Sequence, residues 1–458
     1  MIGAVLRRFK HIFKKKKAME EEKKKVYTIL LLTNRDSDNV GDQVIEACDI
    51  GLISTVMKNL DISEDCYKID SRAASMVSAK YLTTRNPDEL KSCRKAIAHA
   101  DMVIFGGAPV FNFLYQNFYE RTAVTLELAE EYHVPVIFSA IGVEGYSEKN
   151  AKCQRLKKTL NFDCIRQITT RDGIGHLEKY IYNEKIKIAK VSDPAVFSHR
   201  IFEPYKKARK SEDKKKIGIF VIRANGFVDN KIDFTKEASI QFWTGLVREL
   251  ESRGYDYELL TSGHFSDEAF VDYLIRHHGI KAKKCVFNMN TPEELVRRIS
   301  SYDGIISCRL HPSIISFALD VPSLGIIWNT KVKGFYESIG YEDRILVTDG
   351  LNSQLAVDKL EQAMEQGVEK SENYLTSVYE TLFEAVKGIV YSEDSDGTMP
   401  YSYAELLENI PVYAGTTEKE KEEKLKRKFR RAYNVYNNCC KKNEKYKKEI
   451  EQWKKADS

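Results

Sequence analysis

Two rounds of the same alternation run along this chain: a short apolar stretch of strand length, then a longer stretch of helical period, repeated. Residues 26–33 (VYTILLLT) are apolar almost throughout, so a strand there buries both faces instead of one. Helical pattern follows over 43–60, strand pattern over 101–106, helix over 118–132, and strands over 134–141, 165–170 and 186–191. A charged segment, 205–216 (YKKARKSEDKKK), interrupts the pattern. It restarts with strand 217–222, helix 239–253, strand 257–261, helices 267–278 and 292–300, strand 303–307, helix 312–319 and strand 323–327. Alternating strand and helix is the signature of a doubly wound parallel sheet with helices on both faces. The expected fold is therefore α/β, with two Rossmann-like domains facing each other across a cleft. An N-terminal domain spans 26–204 and a C-terminal domain 217–350, with the charged linker between. Helices over 355–364 and 374–390 suggest a segment, 351–400, that packs back on the core. A chain of 458 residues is long for one core and sufficient for two. In such sheets ligands bind outside the carboxyl ends of the strands, so function is sought there.

The net charge of +5 is unevenly spread. Residues 1–25 carry +7 and residues 418–458 another +7, leaving −9 on residues 26–417. Basic ends on an acidic body argue against a nucleic-acid face on the folded core. In the N-terminal extension 1–25, Leu6, Phe9, Ile12 and Phe13 share one helical side among basic residues, a pattern suited to an anionic membrane surface or to a solvated tail. The tail 401–458 is Lys/Glu-rich with sparse apolar positions and reads as helical or disordered. No run of about 18 uncharged apolar residues exists, and no apolar region follows the basic start as a secretory leader requires. Nine scattered cysteines without metal-ligand spacing suit reduced thiols. The expected location is cytoplasmic, with peripheral contact at the inner face of the plasma membrane through the basic ends.

Five short motifs stand at expected strand ends. Asn39-Val40-Gly41-Asp42 follows the first strand; Gly41 permits a tight turn, and Asp42 suits a helix cap or a sugar contact. This is not a dinucleotide fingerprint. Gly106-Gly107-Ala108-Pro109 lets backbone approach a ligand, or makes a plain turn. Arg171 stands in Thr170-Arg171-Asp172, where a guanidinium grips a carboxylate or phosphate, or pairs with Asp172. Asp193, in Ser192-Asp193-Pro194-Ala195, suits a substrate contact or a turn cap. Sharpest is Arg309-Leu310-His311-Pro312, after a buried strand and opening a helix. Alternation along extended backbone sends Arg309 and His311 to one side. A cation beside an imidazole makes an anion clamp with a proton donor, against the plainer reading of a capping histidine.

In this order and placement the motifs resemble the polysaccharide pyruvyl transferase family, over about residues 34–328. That resemblance implies a fold similar to the glycosyltransferase-B arrangement. It also implies transfer of pyruvate from phosphoenolpyruvate to a sugar in a cell-surface polysaccharide or its lipid-linked precursor, forming a ketal. It assigns essential roles to Arg171, Arg309 and His311, with Leu310 between them. Asn39, Gly41, Asp42, Gly106, Gly107 and Asp193 are the expected substrate-side residues. The chain departs from the family where a third glycine is common in the turn: here Ala108 and Pro109 follow. The expected chemistry has two arginines holding the donor's carboxylate and phosphate and His311 supplying the proton, with no metal or cofactor. Asp394-Ser395-Asp396 imitates a metal motif but reads as a polar loop. Two alternatives remain at this level: a glycosyltransferase of the same architecture using a nucleotide sugar, and a catalytically silent scaffold recruited to membranes.

Overall fold

The computed structural model describes residues 25–114, 117–207, 214–391 and 397–456. The membrane-facing helix expected at the basic start, residues 208–213 of the linker and the Asp394-Ser395-Asp396 stretch lie outside these residues.

Among the described residues, twelve strands form two six-stranded sheets. The first holds β1 (Tyr27–Thr33), β2 (Tyr67–Ala73), β3 (Met102–Gly106), β4 (Val136–Ile141), β5 (Ile165–Thr170) and β6 (Lys187–Lys190). The second holds β7 (Lys216–Phe220), β8 (Asp256–Leu260), β9 (Cys285–Val286), β10 (Gly304–Ser307), β11 (Ser323–Ile326) and β12 (Ile345–Leu346). Every pairing is parallel. The orders are β2-β1-β3-β4-β5-β6 and β12-β11-β10-β7-β8-β9. In each, the chain winds one way from its first strand and then returns to that strand's other side. The reversals fall between β1 and β3, and between β7 and β10. Such switch points open a crevice at the strand carboxyl ends.

Burial explains the continuous apolar strands. Leu30 and Leu32 of β1 face one core with Val103, Phe105, Val136 and Phe138. Ile29 and Leu31 face the other, against Val44, Cys48, Leu52 and Val56 of helix Gly41–Asn59. This second core continues into the other half through Leu295, Ile305 and Ile315. Cutting a leucine here to alanine is a cavity mutation, costing about 2–5 kcal/mol. A third core joins Ile219, Ile306 and Leu324 to Trp243, Leu246 and Leu360.

Two C-terminal helices tie the halves together. Helix Glu372–Val390 returns to the first sheet. Gln167 donates to the Thr381 carbonyl at 2.8 Å, and Ser192 Oγ to the Leu375 carbonyl at 3.1 Å. The basic end, expected as helix or disorder, is a 39-residue helix, Glu418–Ala456. Its early turns bridge the halves: Arg431 pairs with Asp38 at 2.7 Å and Lys428 with Glu268 at 2.8 Å. Among the described residues, no helix is long and apolar enough to cross a membrane.

Candidate active site

Both switch points open into one cleft of about 530 Å³. Its walls come from the loop after β1, the end of β5, and the segments following β7, β8, β10 and β11. The halves interlock at this place. The Val40 N–H donates to the Ser262 carbonyl at 2.7 Å. Gly263, at φ +95°, lets the second half's backbone pass there, since a Cβ would stand 2.7 Å from the Asp38 carbonyl oxygen.

His311 sits inside this junction. Helix Leu310–Ala318 begins at Leu310, with Arg309 as its extended flanking residue. The helix starts two residues before the expected 312, so Pro312 is its third residue, still in the first turn, and Leu310 and His311 are helical where the sequence suggests extended backbone. The His311 ring lies on Gly41, whose Cβ would come within 2.3 Å of Nδ1. Asn39 Nδ2 donates to Nδ1 at 3.1 Å. A ring accepting at Nδ1 carries its proton on Nε2 when neutral. Nε2 has no hydrogen-bond partner among the described residues and stands 3.9 Å from Asp42 Oδ1. Burial lowers the His311 pKa well below the usual value, and Arg171, Lys331 and Arg309 push it the same way.

Asp42 does not cap its helix: that start, at Val40, has no side-chain cap. Asn34 donates to its Oδ2 at 3.0 Å instead. Burial pushes its carboxyl up to about 6, against the lowering by Ser37, Arg171, Lys331 and Asn34. At neutral pH the imidazole is therefore neutral and faces a carboxyl that is mostly ionised, half protonated only near pH 6.

Four cations border the same space, and each already has a counter-ion; Arg223 pairs with Asp229 at 2.6 Å. Arg171 pairs with Asp193 rather than the neighbouring Asp172. Arg309 Nε donates to Asp267 Oδ2 at 2.9 Å, while its guanidinium lies 5.2 Å from the centre of the Trp328 ring. Lys331 pairs with Glu144 across the cleft. The guanidiniums are thereby held in place before any ligand arrives. The Arg171 Nε and Trp328 Nε1 are buried without partners among the described residues.

Asn39, Asp42, Arg171, Arg309, Leu310 and His311 thus border one space, with Gly41 against the histidine. Three expected contacts do not. Gly106 and Gly107 face helix Gly41–Asn59: a Cβ on either would come within 2.2 Å of Asp49 Oδ2 or Ile45 Cγ2. Their smallness serves close packing of helix on strand, and Pro109 is the turn residue at the cleft. Asp193 is buried, holding Arg171 and the Ala195 N–H, so it orients an arginine. Sequence reasoning missed Lys331, Glu144, Asp267, Arg223, His264 and Trp328. A signal existed for all but Asp267. Glu144, Arg223, His264, Trp328 and Lys331 come just past the ends of β4, β7, β8 and β11, as Arg309 does after β10. Among the described residues, no cluster of three or more His, Cys, Asp or Glu side chains could hold a metal ion.

Comparison with known proteins gives a family and a fold. The profile of the polysaccharide pyruvyl transferase family matches residues 24–330. No curated protein matches the chain. Among solved structures, a UDP-N-acetylglucosamine 2-epimerase aligns at TM-score 0.50 with 12% identity, covering 82% of this chain and 100% of the other. A Listeria monocytogenes protein described as a UDP-N-acetylglucosamine 2-epimerase aligns at TM-score 0.50 with 11% identity, covering 82% and 99%. At such identities the likeness concerns the fold alone: two Rossmann-like halves about a cleft, the glycosyltransferase-B arrangement.

Proposed function

The chain belongs to the polysaccharide pyruvyl transferase family, and from that premise we propose that it moves the pyruvyl group of phosphoenolpyruvate onto two hydroxyls of a sugar as a cyclic ketal. One observation carries the reading. Arg171, Arg309 and Lys331 converge on a cleft in which the buried His311 Nε2 has no hydrogen-bond partner among the described residues. Phosphoenolpyruvate brings a carboxylate and a phosphate to such a place, and preorganised cations stabilise the charge that moves during transfer.

The reaction divides into two additions. Protonation of the donor's methylene carbon leaves an oxocarbenium-like centre at the carbon bearing carboxylate and phosphate. A sugar hydroxyl attacks that carbon and gives up its proton. Phosphate then leaves with the C–O electron pair, and a second hydroxyl closes the ketal, its proton passing to the departing phosphate. Arg309 and Arg171 hold the anionic groups from opposite halves, and Lys331 adds charge beside them. His311 supplies the first proton. Burial and three cations depress its pKa; a dianionic ligand among those cations opposes their share of the shift and favours the imidazolium. Asp42, next to Nε2, is placed to relay the protons lost by the sugar.

The acceptor proposed is a cell-surface polysaccharide or its lipid-linked precursor, met at the inner membrane face through the basic N-terminal segment. The rival donor is a nucleotide sugar, the class to which the epimerases of similar fold owe their names. Calorimetry with phosphoenolpyruvate and with a panel of nucleotide sugars separates the two. Binding of phosphoenolpyruvate, with phosphate released only when a glycan acceptor is added, is the expected result. Tight nucleotide-sugar binding without phosphoenolpyruvate binding overturns the proposal.

A further inference from the structure

Beyond the cleft, the helix Glu418–Ala456 carries a second recognisable surface. Leu425, Phe429, Ala432, Tyr436, Cys439, Asn443, Tyr446, Ile450 and Trp453 follow one another at intervals of four and three, without a break. None of the nine is charged, although 13 of the 29 residues from 425 to 453 are. This is a heptad seam, with Phe429, Tyr436, Asn443 and Ile450 at a and the others at d. It spans four heptads, or about 43 Å at the helical rise of 1.5 Å per residue. The seam is bare: Phe429 and Trp453 are each 77% exposed, Tyr436 65% and Ile450 55%. The helix meets the body through other side chains, Lys424, Lys428 and Arg431.

We propose that this seam pairs with the same seam of a second copy of the chain, as a parallel, in-register two-stranded coiled coil. The period favours a helix over a flat lipid surface as the occupant. On a straight helix a strict heptad stripe rotates by about 20° per heptad, or about 80° over four, so one plane cannot take it all. That drift also swings Lys447 toward the stripe. Supercoiling around a second helix keeps the seam facing its partner throughout. Self-pairing is favoured over another helix by Asn443. In a parallel pair an a position meets its own copy, so two Asn443 amides satisfy each other, and a lone asparagine at a sets register and selects two strands. Tyr433, Val435 and Cys440 flank the seam and widen its apolar centre. Lys442 and Lys447 of opposite strands oppose the pairing by like charge, but at the exposed flank that costs little and is screened by salt.

Sedimentation equilibrium of the full chain at micromolar concentrations tests this. A dimer mass is expected, strengthening as salt is raised. The double variant Tyr436→Glu/Ile450→Glu, on exposed positions remote from the cleft, is expected to halve the mass and leave turnover unchanged. Register is read by diamide, which takes up the two thiol hydrogens as one disulfide forms. Cys439, at d, faces its copy, so the Cys440→Ser chain should cross-link and the Cys439→Ser chain should not. A monomeric full chain at tens of micromolar overturns the inference. So does a chain that stays monomeric but floats with anionic vesicles, if the double variant abolishes that flotation.

Discussion

Gly41 and the His311 imidazole touch so closely that one added methyl group would overlap the ring, at 2.3 Å from both Cβ and Nδ1. One residue opens the first helix of the first half; the other belongs to the first turn of a helix in the second half. The catalytic candidate is therefore held by a loop from the opposite half. Gly41→Ala is expected to destabilise by about 1–3 kcal/mol, the usual cost of overpacking. Turnover should fall further than that loss of stability implies, because the ring must leave Asn39. Chemical denaturation alongside phosphate release checks both; full activity would show that the ring's seat does not matter.

His311→Gln separates binding from proton transfer. The amide keeps polar contact with Asn39 but cannot act as an acid. Phosphoenolpyruvate binding is expected to survive in calorimetry while turnover drops by ~10²–10⁴-fold. A well-folded variant turning over at the parental rate would return His311 to a purely structural role.

The Arg309–Asp267 pair calls for two different variants. Both residues are buried, and Arg309 directs Nε and Nη2 at one carboxylate oxygen. Asp267→Ala leaves a buried guanidinium without its counter-charge and should cost about 3–5 kcal/mol in urea denaturation. Arg309→Lys keeps a charge but loses the planar fork, so its main effect should be weaker donor binding, read by calorimetry. If Arg309→Lys bound phosphoenolpyruvate as tightly as the parent, the clamp assignment would fail.

The raised Asp42 carboxyl fixes a pH dependence of stability. Its folded value of about 6 lies above the reference 3.8. Between those values the folded chain keeps a proton that the unfolded chain has lost, so stability falls as pH rises through that window. The full difference is about 3 kcal/mol, reached above pH 6 and absent below pH 3.8. Asp42→Asn lacks this loss. Its urea midpoint should match the parent's near pH 4 and exceed it at pH 7; parallel profiles would contradict the burial argument.

The strands buried on both faces were plain in the sequence because nothing else uses an unbroken apolar run. The edge strand β2 (YKIDSRA) was not, since it borders solvent and only Ala73 and Ile69 look apolar. The R-L-H segment was legible because strand, cation, imidazole and helix start are contiguous. Its counter-ion Asp267 lies 42 residues away and Glu144 lies 187 residues from Lys331, distances that only the fold closes. The glycine pair misled for a physical reason: Gly106 and Gly107 are small to admit a helix, and a ligand would impose the same demand. The last helix was ambiguous because a lysine-rich stretch hides a sparse seam until it is counted at 3.5 residues per turn.

That helix also bears on how the cleft is entered. Arg431 and Arg427 hold the loop carrying Asp38 and Asp36, while Lys428 holds Glu268 and Lys424 the Asn290 carbonyl in the other half. This helix is a splint laid over the junction of the two halves. Swinging the halves apart would strip these ion pairs and pull Asn39 from His311 at the same moment. An opened cleft is thus a disarmed one: the proposed proton donor keeps its seat only while the two halves stay clasped.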